Sequence, residues 1–308
     1  MWKIRLILLP LLNGCIVALH AQQDFDKVHV QIAKVAGDVF LLTGQDGNIA
    51  ADIGDDGIVL VDDEYAALGD KILAALKGVT DKPILFVINT HYHPDHTDGN
   101  QYFQKQAPVI AHDNVRKRLE SGGEVGNRGS LVFGVVSPQP QSALPILTFD
   151  HILTVHLNGE DIQVTHLQNG HTDGDSIVYF PKSNVVAMGD DFLRIGFPFI
   201  DLSSGGSVRG LIDALDDVIA RMPSDVKVIP GHGPVSNIDD VRTLVTMLKD
   251  TRAAVERGCK QGKTLDQLKE EKVLEPWKNW SGPITSDIYL ETLYNDITGK
   301  SASLVKPQ

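Results

Sequence analysis

Thr90-His91-Tyr92-His93-Pro94-Asp95-His96-Thr97-Asp98-Gly99-Asn100 is the stretch on which the reading of this 308-residue chain turns. Imidazole nitrogens and a carboxylate are ligands that zinc takes, and ligands this close on an irregular backbone can converge on metal ions from one side. Pro94 keeps a regular helix from running through all of them, which separates the motif from the helical H-E-x-x-H arrangement. Pro83 to Asn89, just before it, is a strand too apolar to have a wet face. The loop therefore leaves a rigid buried element, where binding residues concentrate.

On the N-terminal side, Val30, Ile32 and Val35, then Val39, Leu41 and Thr43, alternate around the turn Gly37-Asp38 and predict a hairpin. Ile58 to Val61 reads as a buried strand ending at Asp62, and a helix over about residues 66–76 puts Leu68, Ile72, Leu73 and Leu76 on one face. On the C-terminal side, a strand over Asp161–Leu167 delivers Gly170-His171 at its end. A second, Asn184–Met188, ends in Gly189-Asp190, and a third, Asp225–Ile229, places His232 between two glycines, where backbone can approach a metal closely.

The loop, with Gly170-His171-Thr172-Asp173-Gly174-Asp175, Met188-Gly189-Asp190-Asp191-Phe192, Pro230-Gly231-His232-Gly233-Pro234 and the strand end Val61-Asp62, resembles the metallo-β-lactamase superfamily, whose five motif blocks occur here in order. The resemblance implies an α/β fold, a four-layer αββα sandwich with metals between the edges of its two sheets. It implies His91, His93 and His171 on a first zinc and Asp95, His96 and His232 on a second, with Asp190 bridging and Asp191 as the backup bridge. Two Zn2+ per chain are the expected cofactors, with iron or manganese as alternative occupants. With neutral imidazoles such a centre stays net positive, and a hydroxide held by both metals is the expected nucleophile on an acyl carbon. Asp95 and Asp190 are then the carboxylates closest to the chemistry.

Class B β-lactamases usually carry cysteine or serine where this chain has Asp190, whereas glyoxalase II-like hydrolases and lactonases carry the aspartate. An export signal argues the other way, since a β-lactam is met outside the cytoplasm. The expected substrate is a β-lactam first, then a lactone, ester or thioester. Two other classes compete: a mononuclear iron persulfide dioxygenase and a non-catalytic zinc-binding protein.

Lys3 and Arg5 precede an apolar run from Leu6 to Leu19, followed by Ala21, so residues 1–21 read as a signal peptide cleaved after Ala21. A retained anchor and a lipoprotein lipidated at Cys15 are the lesser alternatives; the run is broken by Pro10 and Asn13 and is shorter than a bilayer span. The expected location is periplasmic or secreted. After cleavage Cys259 is the sole cysteine, so no intrachain disulfide can form. With 40 acidic against 28 basic residues and a net charge of −12, the chain offers nucleic acid no phosphate-binding footprint. A small carbonyl-containing substrate is the expected partner, with no stable membrane span in the mature chain.

Asp62 could orient a ligand imidazole or merely start a turn. Phe192, Phe197 and Phe199 could line an apolar substrate pocket or fill the core. Ser203 to Ser207 before the helix Val208–Ile219 reads as an N-cap, with an anion-binding helix start as the alternative. His29, His112, His151, His156 and His166 have no ligand context. The catalytic domain is expected over residues 22–238, and 239–308 as a helical extension of it, packed on the outer layer. Trp277 and Trp280 lie between its helices, where a lid or a dimer contact is the alternative.

Overall fold

A computed structural model describes residues 24–127 and 132–299; the signal-like segment and Cys15 lie outside them. Strands β1 (Gln31–Ala36), β2 (Val39–Thr43), β3 (Asn48–Ile53), β4 (Ile58–Val61), β5 (Ile84–Ile88) and β6 (Val109–His112) lie side by side in chain order. A two-stranded hairpin follows, β7 (Gly123–Gly126) and β8 (Val132–Val136), before β9 (Leu147–Phe149) closes the first sheet beside β6. The first four strands form an antiparallel meander, and β4, β5, β6 and β9 are parallel. The second sheet runs β10 (Ile152–Leu157), β11 (Glu160–His166), β12 (Ser176–Phe180), β13 (Val185–Ala187), β14 (Lys227–Ile229) and β15 (Ser236–Asn237), in that order.

Alternation along the strands sorts side chains into three layers of core. Val39, Val59, Val61 and Ile88 of the first sheet meet Ile162, Val164, Val178 and Phe180 of the second. The outer face of the first sheet, with Ile49, Ala51 and Leu60, is covered by Ile72 and Leu76 of α1 (Gly69–Lys77). Short helices α2 (Pro94–Thr97) and α3 (Asn100–Phe103) follow β5, and α4 (Asp113–Ser121) follows β6. The outer face of the second sheet carries α5 (Val208–Arg221) and α6 (Ile238–Lys260), whose Leu211, Leu215, Leu244 and Leu248 share one cluster with Val186 and Val228. Beyond α7 (Leu265–Glu270), α8 (Ser286–Thr298) adds Tyr289 and Leu293 to that cluster. Helix, sheet, sheet, helix is thus the order of layers, the expected αββα sandwich. Among the described residues no helix is long and apolar enough to cross a membrane.

The observed elements follow the pattern-based ones within a few residues, except around the metal-type loop. There α2 begins at Pro94, in the first helical position, where a missing N–H costs nothing. His91 and His93 stay on the irregular approach, while Asp95 and His96 occupy the first turn.

Candidate metal centre

Strand ends deliver five of the seven metal-type residues to one edge of the sandwich, and α2 brings Asp95 and His96 there. His91 and His93 follow β5, His171 follows β11, Asp190 sits in a 3-10 turn just past β13, and His232 follows β14. The loop carrying the first of these is braced from within. Thr97 Oγ1 donates to the His93 carbonyl (3.0 Å), and Asn89 Nδ2 to that of His96 (3.3 Å).

The side chains form two adjoining groups, His91, His93, His171 and Asp190 in one and Asp95, His96 and His232 in the other, with the ligand atoms of each within 4.8 Å of one another. His93 Nδ1 lies 2.9 Å from His171 Nε2. In the second group, His232 Nε2 is 3.1 Å from Asp95 Oδ2 and 3.4 Å from His96 Nε2. Asp190 faces both: Oδ2 is 3.8 Å from His171 Nε2, while Oδ1 is 3.2 Å from His96 Nε2 and 3.4 Å from His232 Nε2. Asp191, the alternative bridge, turns away. Its Oδ1 accepts the backbone N–H of His171 at 3.1 Å, and burial pushes its carboxyl up to about 7.

The outward nitrogen of every imidazole already has a partner. His91 Nδ1 meets Thr90 Oγ1 (3.0 Å), His96 Nδ1 meets Asp62 Oδ2 (2.8 Å) and His93 Nε2 meets Asp201 Oδ2 (3.1 Å). His171 Nδ1 is held by the Phe199 carbonyl (2.8 Å) and His232 Nδ1 by that of Asp46 (3.1 Å). Such contacts fix which nitrogen faces inward, so that each ring, when neutral, presents its lone pair there. His91 Nε2 is buried there with no hydrogen-bond partner, and Asp190 Oδ1 is buried with only the imidazoles of His96 and His232 beside it. Inward-facing, pre-oriented nitrogens and carboxylate oxygens of this kind fit divalent cations.

Burial and then the neighbouring imidazole charges hold His91 well below the usual imidazole range, and burial and His93 bring His171 down to about 4, so both are neutral donors. The second group behaves oppositely. Burial favours neutral Asp95 and Asp190, but His96 and His232 outweigh it and hold both carboxyls well below their ordinary range. Burial likewise opposes protonation of His96 and His232, yet the carboxylates outweigh it, raising His96 well above its ordinary value and His232 to about 10. Two protons on imidazoles thus offset two buried carboxylates, a role a divalent cation can take over while releasing them.

Residues 38–232 match the family model of the metallo-beta-lactamase superfamily. The chain belongs to that superfamily. It is 25% identical over 259 residues to a linear primary-alkylsulfatase of Pseudomonas sp., a match spanning 72% of this chain and 49%, about half, of that enzyme. Over 187 residues it is 27% identical to the type 2 metallo-beta-lactamase of Bacteroides fragilis, covering 58% of this chain and 68% of that one. A metallo-beta-lactamase from Pontibacter korlensis shares the fold at TM-score 0.59 and 18% identity, over 72% of this chain and 99% of the other. The relatives so named are an alkylsulfatase and a beta-lactamase, and this chain brings together the buried histidines and aspartates of a possible metal site.

The superfamily motifs made the metal-type residues legible, and Asp62 orients a ligand imidazole as one of its two expected readings had it, but the other residues that hold the ligands went unread. Asp62, at the end of β4 with a left-handed backbone (φ 65°), accepts from Thr90 N, Thr90 Oγ1 and His96 Nδ1, so it braces both sides of the loop. Asp201, which no motif marked, lies 108 residues from its partner His93; it also accepts from Tyr92 OH and Gly126 N. Asn48 Nδ2 donates to the carbonyls of Pro230 and Gly233, fixing the His232 turn. Glu64 accepts from Gln45 N and Asp46 N and so shapes the loop whose carbonyl holds His232. Their one sequence signal was weak: buried-type positions occupied by polar residues.

A cavity of about 360 Å³ opens on both groups, touching His93, Asp95, Asp190 and His232. Phe199 and Phe197 line it as expected, Phe197 also stacking on Tyr289. Phe192 does not line it: just past the 3-10 turn at Asp190, its ring is buried with Met188 and Ile200 in the apolar cluster beneath α5, where burying the ring is favoured. Ser207 caps α5 through Gly210 N, and Ser204 and Gly170 carbonyls receive Asp173 N and Ser207 N, so the serine stretch buttresses the His171 loop. His29, His151 and His156 are exposed, while His112 and His166 stack at 3.7 Å away from the metal-type groups. In the tryptophan segment Trp280 O accepts from Phe197 N, and Pro283 and Ile284 line the cavity.

Proposed function

We propose that the protein is a dinuclear zinc hydrolase that opens a carbonyl-containing bond of a small substrate outside the cytoplasm. The observation that carries it is Asp190, whose two oxygens face different groups of inward-pointing ligands. On this reading His91, His93 and His171 hold one cation, Asp95, His96 and His232 the other, and Asp190 both. What two zinc ions supply there is water acidified towards neutrality and Lewis-acid polarisation of the scissile carbonyl. The chain's own share is to fix the ligand tautomers through Asp62, Asp201, Thr90 and two carbonyls, and to exclude bulk water with Phe199 and the apolar walls.

Among carbonyl substrates a β-lactam is tried first, supported by the Bacteroides relative, with lactones, esters and thioesters next. The alkylsulfatase match favours a sulfate ester as the second reading. The test is turnover of a chromogenic cephalosporin and of a lactone, ester and alkyl sulfate panel by zinc-loaded protein, beside chelated protein and Asp190→Ala. Turnover lost in both controls supports the reading. Equal turnover by Asp190→Ala, or one iron per chain and no zinc in the purified protein, overturns it. Export rests on the signal-like residues 1–21, and an exported protein beginning at Gln22 is the expected mass.

A further inference from the structure

The cavity over the metal-type groups is walled by side chains that hydrolysis itself does not require. Val125 and Val135 come from the β7–β8 hairpin, Ile195 and Phe199 from the loop after Asp190, and Ile284 from the segment before α8. Three distant parts of the chain have thus been brought together to make one apolar surface. Val135 is 69% and Ile195 39% exposed, although single large aliphatics are more economically buried. A lone exposed aliphatic needs no explanation, but these two line the same cavity and continue its wall outward. Among the described lining residues there is no lysine or arginine; the charged members are the metal-type ones.

The walls are fastened to the centre. Gly126 N of β7 donates to Asp201 Oδ1 (2.9 Å), whose Oδ2 holds His93, and Ser203 Oγ donates to the Gly126 carbonyl. On the other side, a side chain on Gly282 would collide with the Ile195 carbonyl, so the pre-α8 segment and the Ile195 loop meet backbone to backbone. The apolar surface therefore stands at a set distance from the ligands rather than hanging over them.

We propose that the substrate carries its hydrolysable group on an uncharged alkyl or acyl chain, which lies between the β7–β8 hairpin and the Ile195–Ile284 wall. The inference deepens the hydrolase reading and rests on it for the reacting bond, but chain binding can be measured without hydrolysis. Metal-free protein is loaded with a neutral solvatochromic dye, which is displaced with 1-butanol, 1-hexanol and 1-octanol. In parallel, zinc-loaded protein is assayed with nitrophenyl acetate, butyrate, hexanoate and octanoate. The expected result is about a three- to fourfold gain per methylene in displacement and in kcat/KM, until the cavity is filled. Val135→Asp and Ile195→Asp flatten both series, while Val79→Asp, an exposed valine remote from the cavity, leaves both unchanged. A flat alcohol series overturns the inference even if every ester is hydrolysed. A steep alcohol series with no turnover of any ester supports the chain site and overturns the carbonyl-hydrolase reading instead.

Discussion

Asp201→Asn separates a residue that positions a metal ligand from one that only braces a loop. The carboxylate is fully buried and accepts five hydrogen bonds: Oδ1 from Gly126 N (2.9 Å), Ser203 N (3.1 Å) and Ser204 N (3.2 Å), Oδ2 from Tyr92 OH (2.8 Å) and His93 Nε2 (3.1 Å). Burial works to raise its pKa, but the His93 contact and the backbone donors outweigh that and hold it at about 2, so it is an anion throughout the working range. An amide keeps the three backbone donors on its oxygen and turns its NH2 towards Tyr92 and His93; Tyr92 can turn its hydroxyl to Ser204 Oγ (2.6 Å), but His93 Nε2 loses its acceptor. Two bonds to a charged group are lost, at about 1.5–3 kcal/mol each, so unfolding stability should fall by about 3–6 kcal/mol. The tautomer matters more for function. An NH2 aimed at His93 Nε2 favours the proton on Nδ1, the nitrogen facing His171, and a protonated nitrogen cannot ligate. Loss of such an outer contact typically costs about 10–100-fold in metal affinity. The assay is zinc competition against a chromophoric chelator beside urea unfolding, with Tyr92→Phe as the comparison that removes one bond to Asp201 and leaves the tautomer alone. Unchanged affinity and stoichiometry in folded Asp201→Asn would show that the carboxylate only braces the hairpin and refute the reasoning.

Zinc uptake at pH 7 should release protons, because His232, raised to about 10, and His96, raised well above its ordinary value, must give theirs up; calorimetry in two buffers of different ionisation enthalpy should show different apparent heats, and equal heats would contradict the protonation pattern. Gly231→Ala puts a methyl group into Asp190 Oδ1, so bound zinc should fall from two ions to one or none while the sandwich stays folded by circular dichroism. Glu64 is held up to about 7 from an ordinary 4.5 by burial. Its folded value lies above its unfolded one, so the native state keeps a proton the unfolded chain has lost, and stability should decline by about 3 kcal/mol between pH 4.5 and 7, then level off. Glu64→Gln should flatten that part of the profile in urea melts, and an unaltered slope would place the effect elsewhere.

Most of the fold and the metal-type residues could be read from residue order. Alternation in Val30–Thr43 predicted the β1–β2 hairpin because a half-buried strand repeats its environment every second residue. His91, His93, Asp95 and His96 were visible together because they share six positions, whereas His171, Asp190 and His232 stood out only through the resemblance of their blocks to the superfamily's motifs, each block being a weak signal by itself. Where the pattern left two readings, local spacing carried no information. Phe192 and Phe199 are both aromatic loop residues, and only the packed structure shows one in the core and the other at the cavity.

What sequence alone determined about this protein is therefore local: the elements, the ligand types, and the strand ends that present them. The tertiary structure decided which nitrogen of each imidazole faces inward, through partners such as Asp201 and the Asp46 carbonyl that lie 108 and 186 positions away from the rings they hold. It also assembled the apolar wall from the hairpin, the Ile195 loop and the segment before α8. Periodicity reports only which face of an element is buried, whereas a hydrogen bond or a shared wall between distant segments exists only once the sheets have packed and the chain entropy of joining those segments has been overcome.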